Sequence, residues 1–421
     1  MRYISLILIL AISFVNGSVE QVLTLDDAVN IALKNNKVLL TQKAKEDEAK
    51  AQTIVARANF MPTITVSGSY TRLSKVPEMG AVMMGELDNY VTGIGLEQPL
   101  FTWGKIWNAY QLAKLNLNAV EEDYNKTESE VIFNVTQAFY GVMLLTELVK
   151  LSEEAYQQVK RHVDVVKKRY DAGLAPKFDL IRARVQLSNM EPQVIKAKNG
   201  LKSAKNGLKV LLDIPLEESI SLEGELKYEP VEINLKELIE EALLNRAELK
   251  SLKFRKKMSE KALALARASN KPNLIGIANY EYKNPFFFEP KWETGWNVTI
   301  ALQIPFFSGF STFGKVKEAK SQLKQVEFGM KLLRDGIELE VRDVVSSLEE
   351  GKKLVESQEK NVHQAEEALE IAERRYKDGL ATSLEVMDTQ LALTQAKTNY
   401  LQAISDYTIA RARLKKTIGE R

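Results

Sequence analysis

From Lys105 to Tyr170 the chain has no proline and a single glycine, Gly141, and its apolar residues hold a 4-3 spacing throughout. Val131, Val135, Ala138, Val142, Leu145, Val149, Tyr156, Val159, Val163, Val166 and Tyr170 all fall on that spacing, and Ser152 alone breaks the apolar set. A sustained period of 3.5 predicts a left-handed coiled coil. At about 1.5 Å per residue the run predicts a helix of about 100 Å, too long for a compact domain. A return stripe (Leu180, Ala183, Leu187, Met190, Val194, Ala197, Leu201, Ala204, Leu208, Leu211) predicts an antiparallel partner after a turn at Gly173. Ile132, Phe139, Leu148 and Leu151 form a second stripe. A helix apolar on two sides needs neighbours on both, which favours a closed ring of helices.

The pattern is written twice. Leu25-Asp26-Asp27-Ala28-Val29 and Ala32-Leu33 recur as Leu235-Lys236-Glu237-Leu238-Ile239 and Ala242-Leu243. Pro62 and Tyr70 recur as Pro272 and Tyr280, Pro99-Leu100-Phe101 as Pro305-Phe306-Phe307, and Arg169-Tyr170-Asp171-Ala172-Gly173-Leu174-Ala175 as Arg375-Tyr376-Lys377-Asp378-Gly379-Leu380-Ala381. Both heptad stripes return in the second copy, as Ile337, Val341, Val344, Leu348 and Val355, then Leu393, Ala396, Tyr400 and Ala403. The organisation expected is an internally duplicated chain: 1–18 a signal peptide, 19–212 a first repeat, 213–234 a non-helical segment, 235–421 a second repeat. Helices over Asp26–Phe60 and Phe178–Leu212, stacked end to end, would match one long helix. The alternative for 213–234, with Pro215, Gly224 and Pro230, is a flexible linker.

Each copy also contains two strand-like segments of roughly ten residues, the length of a tilted membrane-spanning β-strand. Ile64, Val66, Gly68 and Tyr70 alternate with Thr63, Thr65, Ser67, Ser69 and Thr71; Trp296, Val298, Ile300, Leu302 and Ile304 alternate with Asn297, Thr299, Ala301 and Gln303. Segments near Tyr90–Gln98 and Asn273–Tyr282 complete the four. Aromatic residues gather at the strand ends. Tyr70, Tyr90, Tyr280 and Tyr282 lie towards one end; Phe101, Trp103, Phe306 and Phe307, with Trp296 in the same strand region, point to the other. Two girdles one strand apart suit the two interfaces of a bilayer; packing in a soluble core is the alternative. Four strands cannot close a barrel in lipid, so the chain must assemble with copies of itself. Two copies reach the minimum of about eight strands, filled by side chains, and a conducting tube favours three or more.

Arg2, an apolar run from Leu6 to Val15 and small residues at Asn16-Gly17 predict secretion, the alternative being a membrane anchor. Lys+Arg 58 against Asp+Glu 56 argues against nucleic acid. With no cysteine and only His162 and His363, no disulfide, thiolate site or multi-His metal centre is available. No catalytic constellation or nucleotide fingerprint is present. The reading is a non-enzyme that needs no cofactor and no metal.

These features together resemble the TolC-like outer-membrane efflux protein family. The likeness runs from Leu23 to about Ile418. It is carried by Ala32-Leu33-Lys34-Asn35-Asn36 and Ala242-Leu243-Leu244-Asn245-Arg246, by Gln98-Pro99-Leu100-Phe101 and Pro305-Phe306-Phe307-Ser308-Gly309, and by the paired Arg-Tyr-x-x-Gly-Leu turns. The resemblance implies a mainly α protein with membrane β: a homotrimer whose 12-stranded β-barrel continues into a long α-helical coiled-coil barrel. It implies an exit duct of a tripartite efflux or type I secretion system, set in outer-membrane lipid with a long periplasmic extension. The implied partners are a periplasmic adaptor (membrane fusion) protein and an inner-membrane transporter. It makes the turns the periplasmic gate, with Tyr376 and Asp179 in a Tyr–Asp contact and Glu385 and Asp388 in an acidic entrance ring. Where some members carry a bracing Arg, this chain has Ala381. The plainer alternative for these carboxylates is service at helix starts, where the macrodipole favours them. The apolar tips Gly173-Leu174-Ala175 and Gly379-Leu380-Ala381 suit docking of an adaptor hairpin. A structural coiled-coil tether of the envelope is the rival function; it shares the heptads but leaves the strand pairs unexplained.

Overall fold

The computed structural model describes residues 21–76 and 85–420, with the backbone of 78–79 and 82–83. The proposed signal peptide lies outside the described residues. In chain order the elements are β1 (Gln21–Leu23), α1 (Leu25–Asn35), α2 (Lys37–Ala58), β2 (Thr63–Arg72), the short β3 (Glu78–Met79) and β4 (Val82–Met83), β5 (Asp88–Phe101), α3 (Lys105–Asp171) and α4 (Lys177–Leu212). Then follow β6 (Ile220–Leu222), α5 (Leu235–Asn245), α6 (Ala247–Ala268), β7 (Asn273–Asn284), β8 (Glu293–Gln303), α7 (Ser311–Lys377) and α8 (Ser383–Ile418). The helices of the first half have 11, 22, 67 and 36 residues, and those of the second half repeat these lengths in the same order.

The single helix expected over Asp26–Phe60 is instead two, α1 and α2, broken at Asn36. Asn36 leaves helical backbone, and its side-chain Oδ1 accepts from the amides of Val38 (3.0 Å) and Leu39 (3.4 Å), while Nδ2 donates to the Leu211 carbonyl at 2.9 Å. An asparagine cap that satisfies its own orphan donors needs no proline to start the second helix. In the second copy Arg246 takes the corresponding place, 7% exposed and paired with Glu248 at 3.0 Å.

The chain divides into two units. One holds the chain up to Leu39 with Glu128–Ile239 and Glu340 to the C-terminal end; the other holds Leu40–Thr127 and Glu240–Leu339. The first is helical apart from a two-stranded parallel sheet of β1 and β6. Its core follows the heptad stripes: Val131, Val135, Val142, Val159, Val163 and Val166 on α3, and Val341, Val344, Leu348 and Val355 on α7, are all buried. Phe139 and Leu151 of the second stripe are buried as well. Over an 18-residue window α3 is long and apolar enough to cross a membrane, with mean hydropathy 1.3. That apolarity goes into packing, since Val131, Val135, Phe139 and Val142 sit against Ala28, Ala32, Leu208 and Leu212.

The second unit carries an antiparallel four-stranded sheet of order β2-β5-β7-β8. Register sorts its side chains by face. Ile64, Val66 and Tyr70 pair across to Leu96, Ile94 and Tyr90. Ile94 and Leu96 pair to Tyr280 and Ala278, and these to Trp296 and Val298. Because residues directly opposite share a face, one face is apolar across all four strands. The other carries Thr63, Thr65, Ser67, Glu97, Asn279, Glu281, Asn297 and Thr299. Gly93 and Gly95 lie on this polar face of β5, where the strands leave no room: a side chain at Gly93 would meet the Tyr280 carbonyl at 2.7 Å. The outer strands β2 and β8 each have one partner and one open edge.

Candidate functional site

Two helical hairpins meet at the turns, α3 with α4 and α7 with α8. Both turns close the same way. In the first, the amide of Gly173 donates to the Tyr170 carbonyl (2.9 Å) and that of Leu174 to the Arg169 carbonyl (2.7 Å). In the second, Gly379 donates to Tyr376 (3.1 Å) and Leu380 to Arg375 (2.8 Å). Gly173 and Gly379 have φ of +73° and +77°, the left-handed conformation that glycine adopts without strain. Leu174 and Leu380 stand 69% and 70% exposed; Ala175 and Ala381 are half-buried. Both leucines are exposed apolar side chains at the tips of the hairpins.

Behind the turns four helices share one core: Val163 and Val166 of α3, Leu180 and Ala183 of α4, Leu369 and Ala372 of α7, Val386 and Met387 of α8. Polar groups cross between the hairpins here. The Arg169 guanidinium lies 5.0 Å from the centre of the Tyr376 ring and donates through Nη1 to the carbonyls of Tyr376 (2.8 Å) and Lys377 (3.2 Å). It thereby caps the C-terminus of α7 with a cation, where the helix dipole favours one. Its counterpart Arg375 turns to the Leu380 carbonyl of its own hairpin instead (3.2 Å). His162 Nε2 and Ser383 Oγ lie 2.8 Å apart, both buried, and the His162 ring packs 5.4 Å from Tyr376.

The residues read from the sequence as gate residues behave unequally. Tyr376 is buried, and its hydroxyl completes no well-formed hydrogen bond among the described residues, although the Ser383 hydroxyl lies near enough to act on it. The expected Tyr376–Asp179 hydrogen bond is therefore not made within the protomer. Desolvation raises the Tyr376 pKa; Arg169 and the Ser383 hydroxyl work against that rise and the Asp179 charge adds to it. Glu385 is exposed and serves as N3 of α8 in a capping box. Its Oε1 accepts from the Thr382 amide (3.1 Å) and hydroxyl (3.2 Å), while its own amide donates to Thr382 Oγ1 at 3.3 Å. These bonds hold its carboxyl below the ordinary carboxylate range, the reverse of what crowding by like charges would do. The helix-start reading thus describes Glu385 within one protomer. Asp388, one turn on, is exposed. Arg169, His162 and Ser383 escaped the sequence reading. A signal existed for His162: it continues the second stripe through Leu148, Leu151 and Ala155 as an ionisable residue on an apolar line.

The aromatic residues of the sheet also regroup. At the end away from the helices the Tyr70 and Tyr90 rings lie 5.0 Å apart, and Trp292 joins them, 5.7 Å from Tyr90 and stacked at 4.9 Å on Tyr282. Trp292 thus belongs with the tyrosines. Tyr280 and Trp296 pair with each other level with Ile94, further towards the helices than Tyr90, so they are not at a strand end. The helix end holds Phe101 and Trp103 at 5.3 Å, and Phe307 with Phe310 at 5.8 Å; Phe306 is fully exposed.

Comparison with known proteins gives these features a context. The family described as outer membrane efflux protein matches residues 28–213 and, again, 238–420. The chain belongs to the outer membrane efflux protein family. That membership places it in the outer membrane, in a family of channel proteins. Among relatives, the outer membrane protein TolC of Vibrio cholerae is 21% identical over 403 residues, covering 94% of this chain and 90% of its own length. The alkaline protease secretion protein AprF of Pseudomonas aeruginosa is 20% identical, covering 93% and 84%. The crystal structure of the CmeC outer membrane channel of Campylobacter jejuni superposes with a TM-score of 0.83 at 19% identity, covering 94% of this chain and 85% of that one. The CmeC channel structure thus shares the fold of this chain.

Proposed function

We propose that this chain is the outer-membrane exit duct of an efflux or type I secretion system, working as a homotrimer. The observation that carries the reading is the sheet: one face apolar on all four strands, the other polar, with open edges on β2 and β8. Lipid does not tolerate open edges, so three copies joined edge to edge make a 12-stranded barrel, apolar outside and wet inside. The helices support the same assembly. Phe328, Leu332 and Leu339 of α7 stand 66%, 75% and 60% exposed in the protomer, an unpartnered stripe that a neighbouring copy would cover.

In this reading 1–18 is a signal peptide, the repeats 19–212 and 235–421 arose by duplication, and 213–234 forms a belt between them. Tyr70, Tyr90, Phe101, Trp103, Phe306 and Phe307 face the lipid interfaces, and Tyr280 with Trp296 lies on the same apolar face inside the Tyr70–Tyr90 end. The turn end is the periplasmic entrance, gated by Asp179, Tyr376, Glu385 and Asp388. Leu174 and Leu380 with their neighbouring Gly and Ala residues receive a periplasmic adaptor that recruits an inner-membrane transporter. The test is detergent extraction of the membrane fraction, sizing, and planar-bilayer recording. A trimer that conducts supports the duct. A soluble monomer, or a membrane-bound trimer that never conducts, sinks it.

A further inference from the structure

At the turn end lies a cavity of about 410 Å³ walled by α3, α7 and α8. Its polar lining is incomplete. Among the described residues Tyr376 Oη, which has only the nearby Ser383 hydroxyl, and Gln390 Oε1 are buried there without a well-formed hydrogen bond, in residues 7% and 5% exposed. His162, 6% exposed, is in its wall and bonds to Ser383, the first residue of α8, which is 3% exposed. This bond joins the long helix of one hairpin to the return helix of the other, 221 residues away in sequence. We propose that His162, Ser383 and Tyr376 form a proton-operated latch: neutral His162 holds the two hairpins together at the turn end, and protonation of His162 releases them.

The geometry supplies the reason. A buried imidazolium needs an anionic or well-placed acceptor partner, and the bond that His162 makes is to a neutral hydroxyl. The charged groups around it offer little. On α3 stand Arg161 and Arg169, the latter already over the Tyr376 ring that His162 touches. On α7 stand Arg374 and Lys377 with Glu370 and Glu373, and Glu370 is already engaged by Arg374. The α4 carboxylate Asp179 acts on Tyr376; α8 lines the cavity with neutral Val386 and Gln390, and its carboxylates Glu385 and Asp388 are exposed, Glu385 engaged by Thr382. Burial holds the His162 pKa below its usual value. The latched state therefore has its full stability above the ordinary histidine range, near 6.5, and loses it as pH falls from there towards the depressed latched-state value.

The latch stands on the hairpin contacts; only its effect on conductance rests on the duct reading. The chain has no cysteine, so single reporters are clean. In the full-length detergent-extracted protein, thiol labelling at Val386→Cys (1% exposed) is divided by that at Leu174→Cys (69% exposed), which cancels the pH dependence of the thiol itself. Between pH 7.5 and 5 the ratio should rise about tenfold for each unit by which the latched pKa lies below the released one. With His162→Gln, which keeps a neutral polar atom near Nε2, the ratio should stay flat. A flat ratio in the presence of His162, or an equal rise in His162→Gln, overturns the latch. If His162→Gln folds poorly, the two histidines can be titrated by NMR in the unmodified chain, with exposed His363 as internal reference. Equal midpoints for the two overturn the proposal; a lower His162 midpoint supports it. Bilayer conductance that rises on acidification links the latch to the pore. Absence of any conductance refutes the duct and leaves the labelling result standing.

Discussion

Arginine at Val298 should prevent insertion, whereas arginine at the next residue, Thr299, should not. Val298 is the middle residue of β8, 68% exposed on the apolar face and paired with Ala278. Eleven residues at about 3.3 Å, tilted by about 40°, rise about 28 Å, so the middle of β8 falls near the centre of the bilayer. Arginine on the lipid face at that depth costs about 2–4 kcal/mol per site. Each protomer would then favour insertion about 30- to 700-fold less, and three copies compound the loss. Thr299 occupies the polar face, in the register row Glu97–Ile277–Thr299. An arginine there points into water and lies within two strands of the Glu97 carboxylate. The assay is the yield of detergent-resistant trimer in outer-membrane fractions at matched expression, followed by urea unfolding of what inserts. Equal yields for Val298→Arg and Thr299→Arg would refute the facial assignment of the whole sheet, because register ties all four strands together.

Leu174→Asp or Leu380→Asp should abolish export without lowering trimer yield, since both side chains are exposed in the protomer; normal export in either variant rules out docking at the tips. Glu385→Gln/Asp388→Asn should reduce the cation preference measured as reversal potential in a salt gradient; glutamine can still complete the capping box, so α8 stays formed. The Glu385 carboxyl is held low by its bonds to Thr382, so its charge, and the preference it supports, should survive below the ordinary carboxylate pKa and fade only as pH falls through the depressed value. Arg169→Met removes two hydrogen bonds to α7 carbonyls and should raise open probability in bilayers, at a cost of roughly 1–3 kcal/mol in stability. Gly93→Ala should impair sheet assembly, because its methyl would sit 2.7 Å from the Tyr280 carbonyl; wild-type trimer yield would show that β5 and β7 can part without loss.

What the sequence made legible was whatever repeats with a period. The 3.5 spacing located α3, α4, α7 and α8, and most of its positions are buried or half-buried because a coiled-coil seam must be apolar to exist, with Tyr170 at the turn exposed and Leu151 and Ala155 of the second stripe more buried than their first-stripe neighbours. Alternation located β2 and β8, where one face is apolar and the other polar. Aperiodic features were harder to see. The break at Asn36 depends on one side chain folding back on its own amides, and nothing in the helical pattern marks it. β1 is three residues long and exists because β6, far along the chain, offers it an edge. At the turn end the repeated Arg-Tyr pair advertised a symmetry that the side chains do not keep. Arg169 crosses to the other hairpin while Arg375 stays on its own, a choice set by what each guanidinium finds within reach. Glu385 carried two compatible local readings, and only the positions of the Thr382 amide and hydroxyl separate them within a protomer.

The open edges of β2 and β8 have a consequence for the life of the chain before it works. Until a neighbour arrives, each protomer carries two rows of unpaired backbone donors and acceptors beside a face of isoleucine, valine, leucine and tryptophan. Any other extended chain can pair with such an edge, and strands of this kind template aggregation. Nor can lipid shelter the lone subunit, since the same edges bar it from the bilayer. In the proposed trimeric duct, folding, oligomerisation and insertion are therefore coupled, and the unassembled chain is expected to need a holdase until they occur. Production should saturate with escort capacity rather than with synthesis rate, and a copy able to offer one sound edge but not the other should poison the assemblies it joins.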